Sequence, residues 1–481
     1  MPQLNIIGQA YTARSGSEDF ETCKNFFIEA GTEQTKYKFV LYPTPGIEEY
    51  VDIDGSQVRQ LLEFDKVLYA IIDFDFYAID ADGVATQKGT LNSTEPVFVP
   101  QMASNGLQIG IVDNGYMYAY NIAADTFVEV TNVYTLAAAP NYLTFQDGYG
   151  IYNQPGTSTW WITSINDFTT TGALDFASAN TTNQDITAIV SNRQQLYIFT
   201  PVGCEVWFNS GNNDFPFERK NTSYITQGTA APASIVTIDN TIYYLTRSPQ
   251  GEGFVVKIEG DSSPVVISTS AISYLINQIE SINDAIAFAY QEDGHLFYVL
   301  TFPSGDKTFV YDISQGAWHE RTSTIDNDPG AGTRQGRFRA NCYAFFGSRH
   351  VVGDFESGVL FSMDNRVYTE DGVPIRRERT TSHLWNDLKR ISLRSITLDF
   401  QVGVGNTADP DPMINLYLSK DGGYTYGNAH VASLGAEGAY TKRIKFNRLG
   451  MSRDFVGKIT TTAAVEVVLL GASAEIEAGT S

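Results

Sequence analysis

Residues Asn283 to Thr322, NDAIAFAYQEDGHLFYVLTFPSGDKTFVYDISQGAWHERT, decide the reading of the fold. Ile286 to Gln291 alternates apolar with small or polar residues, Asp293-Gly294 supplies a tight hairpin turn, and His295 to Thr301 continues as a second strand. Pro303-Ser304-Gly305-Asp306 turns the chain into Lys307 to Asp312, and Ser314-Gln315-Gly316 turns it into Ala317 to Arg321. Four short strands joined by Gly-containing turns predict one propeller blade. A lone blade cannot bury both of its faces, so the reading demands neighbours.

Tyrosine marks the second strand of a repeating unit at Tyr69, Tyr118, Tyr197, Tyr243 and Tyr298, with Tyr343 as a looser sixth. Their separations are 49, 79, 46, 55 and 45 residues, and the long gap holds a degenerate copy at Tyr149 to Gln154 and Thr159 to Thr163. That is close to the period of about 40–50 residues expected of a propeller. Asp54-Gly55, Asp82-Gly83, Asn114-Gly115 and Asp147-Gly148 are further hairpin turns. The predicted fold is all-β: a β-propeller of about six or seven blades over residues 51–365, an N-terminal arm over 1–50 and a C-terminal β-sandwich over 366–481. A large sandwich or a stack of unrelated hairpins would show similar alternation.

Composition agrees with β structure. Of 481 residues, 43% are hydrophobic, 13% aromatic and 18% charged, and Gly is frequent, which favours turn-rich strands around a sizeable core. Only Thr269 to Ile282 and Phe20 to Glu29 offer short helix candidates. No apolar run is long enough to span a bilayer, and the start lacks the basic-then-apolar plan of a signal peptide. The expectation is a soluble product of the cytoplasm with no membrane anchor. Cys23, Cys204 and Cys342 are scattered among apolar residues and read as reduced core thiols, not a disulfide framework or a metal site.

Charge is divided unevenly. Residues 1–365 carry 18 Lys and Arg against 42 Asp and Glu, a balance of −24, whereas residues 366–481 carry 14 against 13, a balance of +1. An acidic body cannot grip nucleic acid electrostatically, although its walls would keep a sliding polymer from sticking. Cations concentrate in Arg376, Arg377 and Arg379, in Lys389, Arg390 and Arg394, and in Lys442, Arg443, Lys445 and Arg448, continuing to Arg453 and Lys458. Arg334, Arg337 and Arg339 fall in the long loop Ser323 to Arg339, and a second long loop runs from Phe168 to Gln184. The basic sets are candidates for a face that docks an acidic partner or DNA; local neutralisation by carboxylates is the competing reading.

Nothing supports catalysis. Ser419-Lys-Asp421-Gly-Gly423-Tyr-Thr425-Tyr426 matches the Asp-box hairpin of sialidases and other propellers, in which the Asp satisfies turn amides without doing chemistry. Asp73/Asp75 and Asp80/Asp82 could in principle face a cation but lack further ligands and read as turns. The five histidines have no metal spacing, and there is no phosphate-binding Gly loop or nucleophile elbow. No catalytic, cofactor-binding or metal-binding residue is assigned, and the chain is read as a non-enzyme.

The two ends of the chain carry a further pattern, in short motifs. Asn25-Phe26-Phe-Ile-Glu29, a spacer, an aromatic strand reaching Leu41, and then Pro45-Gly46 are followed by the tyrosine-rich middle and a short β domain with Leu418 to Gly427 and Arg448 to Gly457. This arrangement resembles the packaged-DNA stabilisation proteins of short-tailed bacteriophages, the tail hub or nozzle proteins. The resemblance implies a structural virion protein of the tail, made in the host cytoplasm. It also implies a homo-hexameric ring that closes the portal channel after packaging and conducts the genome at ejection. The implied partners are the portal or head-to-tail adaptor protein, a tail fibre, spike or needle protein, and double-stranded DNA passing through. The alternatives are a receptor- or glycan-binding propeller, for which Trp160-Trp161 is the natural aromatic pair, and a sialidase-like glycosidase.

Overall fold

The computed structural model describes residues 3–479 except 5, 16–17, 20, 33, 94–98, 132–139, 327–332 and 388. Among the described residues seven four-stranded antiparallel units follow one another along the chain, five as separate sheets, the sixth as part of a ten-stranded sheet and the seventh as part of a six-stranded one. Blade 1 is Val58–Phe64, Val67–Ile72, Asp75–Ile79 and Ala85–Thr90. Blade 2 runs from Gln101–Ser104 to Thr126–Glu129, blade 3 from Leu143–Gln146 to Phe176–Ser178, blade 4 from Ala188–Asn192 to Phe217–Ile225, and blade 5 from Val236–Ile238 to Val265–Val266. Blade 6 is Ile286–Glu292, His295–Phe302, Lys307–Asp312 and Ala317–Glu320, the four strands read from the deciding stretch.

Blade 7 is made from both ends of the propeller. Ala340–Phe346, Arg349–Asp354 and Val359–Asp364 supply three strands, and Gly46–Asp52 pairs antiparallel with the third. The boundary expected at 50/51 therefore falls inside a blade strand. Closing the last sheet with an early strand ties the ring shut, because blade 7 cannot complete its hydrogen bonding without it. Apolar clusters fill the seams between blades in turn. Tyr69, Phe76 and Tyr120 join blades 1 and 2, Trp160 and Trp207 join 3 and 4, and Tyr243, Tyr298 and Trp318 join 5 and 6. Val58, Leu68, Val351 and Leu360 close 7 onto 1.

Two of the tyrosine markers sit elsewhere than their spacing implied. Tyr118 lies on the third strand of blade 2, and Tyr343 on the first strand of blade 7. Both still fill seams, because aromatic burial depends on facing a neighbouring blade and not on strand number. Helix Ser270–Ile276, capped by the Thr269 hydroxyl, appears within the expected stretch between blades 5 and 6. The other helix candidate is instead extended, as Cys23–Lys24 and Phe26–Ala30; Phe20 lies outside the described residues.

The C-terminal part is a sandwich of two sheets. One has the order Phe26–Ala30, Phe39–Pro43, Leu469–Ala478, Ile391–Phe400 and Ile444–Ser452, so N-terminal strands occupy one edge and Ile444–Ser452 the other. The second contains Arg377–Thr380, Asp454–Thr461, Met413–Ser419 and His430–Ser433. Ile6, Phe26 and Leu41 enter the same core as Ile391, Leu416 and Leu469. The N-terminal segment is thus part of the sandwich.

Candidate docking interface

Cys23–Lys24 is the hinge pin of the molecule. Lys24 pairs in parallel with Glu320 on the outer strand of blade 6, and the same two residues pair antiparallel with Glu378 and Arg379, so the blade 6 sheet runs on into the sandwich. Asn25 follows in a left-handed conformation at φ 55°, which Asn tolerates better than most residues. Its buried side-chain amide donates to the Thr322 and Arg376 carbonyls at 2.9 and 2.8 Å and accepts from the Thr322 N–H at 2.9 Å. One side chain thereby clasps blade 6 to the sandwich.

Arginines complete the joint. Arg321, the residue after the strand Ala317–Glu320, is 1% exposed, donates to the Pro45 carbonyl at 2.7 Å and lies 3.5 Å over the Phe338 ring. Gly46 follows Pro45 because a Cβ there would stand 2.3 Å from the Thr369 carbonyl oxygen. Arg379 donates to the Ile6 carbonyl at 2.6 Å and to the Glu21 carboxylate at 2.8 Å. Arg377 donates to the Ala463 carbonyl at 3.1 Å, while its Nε and Nη2 meet no partner among the described residues. Burial pushes the Arg377 guanidinium down to about 10. Glu370, wholly buried, faces Arg321, Arg339 and Arg377, yet burial outweighs all three and holds its carboxyl above the ordinary value.

This arrangement corrects the predicted docking set. Arg337, Arg377 and Arg379 are buried and cannot meet a partner: a strand with period-2 alternation turns half its residues inward, and these are the inward ones. Arg337 packs 3.7 Å over Phe355, and Arg339 forms a bidentate pair with the buried Asp354 at 2.6 and 3.2 Å. Arg334 pairs with Asp306, Arg376 with Glu378 at 3.3 Å, Arg394 with Glu477 at 2.5 Å and Lys445 with Glu475 at 3.8 Å. Lys389, Arg390, Lys442, Arg443 and Arg448 are exposed and form no ion pair among the described residues. Arg448 lies on the sandwich edge Ile444–Ser452, Arg443 immediately precedes that strand and Arg453 immediately follows it. The hairpin Thr322–Asp326 with Thr333–Arg337 accounts for the long loop that carries Arg334, and its tip at 327–332 lies outside the described residues.

Other sequence readings resolve into structure. The Asp-box hairpin forms as expected: Asp421 accepts from the Thr425 N–H at 2.9 Å and from Ser419 Oγ at 2.6 Å, and these hydrogen bonds hold its carboxyl down to about 2. Asp73 caps the Ser56 and Gln57 amides, and Asp80 those of Asp82 and Val84. Trp160 and Trp161 are 0% and 8% exposed, each in a seam between blades, so this pair cannot read a glycan. All three cysteines are buried and unpaired, and burial pushes Cys23 up to about 11 and Cys342 up to about 12. No group of three or more metal-ligating side chains occurs among the described residues.

Sequence reasoning missed the clasp itself. The available signal was Arg321, a cation at the end of the apolar strand that closes the blade from which the fold was read. It also missed His295, buried in blade 6, whose Nδ1 lies 2.6 Å from Asp312 and whose Nε2 lies 3.6 Å from Glu29 on the sandwich strand. Asn25, Phe26, Glu29, Leu41, Pro45 and Gly46, the positions of the N-terminal pattern, are thus contact points between the propeller, the arm and the sandwich.

Among solved structures the chain is similar to the computationally designed Ika8 protein, with 11% identity, 66% of this chain and 100% of that one covered, and a TM-score of 0.42. It is also similar to the extracellular domain of hybrid two component system BT4673 from B. thetaiotaomicron, with 11% identity, coverage of 79% and 44%, and a TM-score of 0.42. The N-terminal domain of Nup159 gives 10% identity, coverage of 70% and 97%, and a TM-score of 0.38. These likenesses are too distant to carry an argument about function. No curated protein matches the chain. Two family models do match, one described as "Bacteriophage P22 Gp10, beta-propeller" over residues 20–368 and one as "Bacteriophage P22 Gp10, beta-sandwich" over residues 376–477. The chain belongs to this family, the tail hub and packaged-DNA stabilisation proteins of short-tailed phages, and is a structural protein of a phage virion that associates with other virion proteins.

Proposed function

We propose that the chain is a tail hub or nozzle subunit that closes the portal channel after packaging and conducts the genome at ejection. The observation that carries this reading is the clasp at Asn25, Arg321 and Arg379. It couples propeller and sandwich through a continuous sheet and buried hydrogen bonds, as a part that bears load between partners requires. Six copies would form a ring below the portal or adaptor protein, with a fibre, spike or needle protein as the distal partner. The acidic propeller, with 14 Lys and Arg against 37 Asp and Glu, a balance of −23, over residues 46–365, suits a wall past which DNA slides without sticking. The exposed cations of the sandwich edge suit the docking side. Retention would come from constriction and a partner plug, with no bond-making chemistry.

The test is genome retention in particles assembled without this chain. Heads that fill and then leak, and that stop leaking when purified protein is added, support the hub reading. Heads that stay full but fail to attach to cells would make the chain a receptor-binding module instead.

A further inference from the structure

A cleft of about 550 Å³ opens between blades 6 and 7. Its acidic side is Glu292, Asp293 and Asp364, and its aromatic side is Tyr343, Phe345 and His350. The Tyr343 hydroxyl and His350 Nδ1 lie 2.9 Å apart with their rings stacked at 22°, and Phe345 stands half exposed beside them. Glu292 accepts one backbone hydrogen bond, from Asn365 at 2.9 Å, and Asp293 accepts from the Asn365 side chain. Neither forms an ion pair among the described residues. Burial, with Asp293 and Asp364 alongside, pushes the Glu292 carboxyl up to about 7 despite the Asn365 amide and the more distant Arg321, as expected of a carboxylate that lacks a counter-ion.

An aromatic wall beside carboxylates fits a guanidinium, which can stack on the rings and donate to the acids together. Two cations already stand at the rim. Arg349 lies over the Tyr50 ring at 4.9 Å, and Arg366 reaches Asp364 at 3.6 Å, so neither neutralises Glu292 or Asp293. The same chain displays guanidiniums with no ion pair among the described residues elsewhere, at Arg448 on the edge strand Ile444–Ser452 and at Arg443 just before it, with Met451 half exposed between them and Arg453.

We propose that the cleft between blades 6 and 7 receives an arginine of the Ile444–Ser452 edge from a second copy of this chain, so that copies meet propeller to sandwich. Such a contact is heterologous: each copy offers a cleft to one neighbour and an edge to the other, which generates a closed ring or an open filament. The unequal charge of the two parts favours this pairing over propeller on propeller. The inference deepens the hub reading, and rests on it for the biological setting, by naming the surfaces through which subunits join.

Two full-length variants test it. One carries Glu292→Gln, Asp293→Asn and Asp364→Lys, the first two chosen to keep the acceptors of the Asn365 amides and the turn. The other carries Arg443→Glu and Arg448→Asp. In the retention assay each variant alone should fail to stop leakage, because like charges face each other at every contact. An equimolar mixture should restore retention, because each copy then meets its complement, and that rescue also shows that both variants fold. If each variant alone retains DNA like the parent chain, or if the mixture fails as well, the inference is overturned while the hub reading stands. If the unaltered chain does not stop leakage, the hub reading fails and sedimentation of the purified protein decides the inference. Association of the unaltered chain, lost in each variant and restored on mixing, supports it, and any other sedimentation pattern overturns it.

Discussion

The seams between blades and the joint between propeller and sandwich are both buried, and they are built from opposite chemistry. In the seams, Tyr298, Leu300, Trp160 and Val351 pack with little or no exposure, and what polar groups they bring are few. In the joint, Arg321, Arg377, Arg379 and Glu370 are equally buried, and Arg321, Arg377 and Glu370 keep polar atoms without partners among the described residues. Apolar packing stabilises by area and tolerates any partner of suitable shape, whereas buried guanidiniums stabilise little in net terms and penalise every arrangement but one. The seams hold the disc together; the joint sets the angle at which the sandwich leaves it.

The largest test of that contrast removes a partner from the joint. Arg379→Ala would strip the Glu21 carboxylate and the Ile6 carbonyl of a buried donor, and should cost about 3–5 kcal/mol in urea unfolding. Arg377→Met should behave differently. Two of its guanidinium nitrogens have no partner among the described residues, so the change should cost clearly less than Arg379→Ala, about 1–3 kcal/mol for the Ala463 carbonyl left without its donor. A large loss from Arg377→Met would mean that the joint is satisfied by groups not seen here, and the contrast would weaken. In the seams, Leu300→Ala should cost about 2–5 kcal/mol with no such dependence on partner identity.

A smaller effect is expected where the ring closes. Gly353, on blade 7, lies so near blade 1 that a Cβ would stand 2.5 Å from Val58 Cγ1 and 2.8 Å from Cys342 Sγ. Gly353→Ala should therefore destabilise by about 1–3 kcal/mol through overpacking, measured as a lower denaturation midpoint. Val58→Ala in the same chain should recover part of the loss, since it vacates the space the new methyl needs.

Two histidines of blade 6 separate joint from core by pH. His295 is raised above the ordinary histidine value, first by its hydrogen bond to Asp312 and then, against burial, by the charges of Asp312 and Glu29. Phe27 and Phe297 pack against its ring, and His319 lies beyond them against both phenylalanines. Its contribution is present below pH 6.5 and lost as pH rises through the folded value. His319 is pushed down to about 3 by burial and by Arg321, so its contribution is present above pH 6.5 and falls away between there and pH 3. His319→Gln should flatten the acid limb of a stability–pH curve, and His295→Gln the limb above pH 6.5. Finding the two limbs exchanged would break the assignment.

How much of this could be read beforehand follows from the same contrast. Alternation and Gly turns announce a blade because each blade repeats the same local chemistry, so blade 6 was readable strand by strand from 283–322. Blade 7 was not, because its outer strand Gly46–Asp52 comes from some 300 residues away and period-2 patterning cannot say which sheet a strand joins. The cations were visible as clusters, but inward and outward positions differ by one residue along a strand. Arg376 and Arg377 are neighbours in sequence, one exposed and one wholly buried. The N-terminal pattern pointed to the family through residues whose work is internal, which is why it named a fold and marked no contact with partners.

The smallest expected effect isolates the docking surface from everything above. Arg448 sits at φ 60° on an edge strand, exposed and without an ion pair among the described residues. Arg448→Asn places a residue that tolerates the left-handed conformation at that position, so the folded chain should change by no more than about 0.5 kcal/mol. The same holds for Arg443→Ser, which leaves the adjacent core residue Ile444 untouched. Assembly should respond where stability does not. If Arg448→Asn and Arg443→Ser together leave the denaturation midpoint in place while raising the concentration of protein needed to stop leakage, exposed and buried cations do separate work. If the midpoint falls with them, these side chains belong to the sandwich after all, and the distinction between joint and edge dissolves.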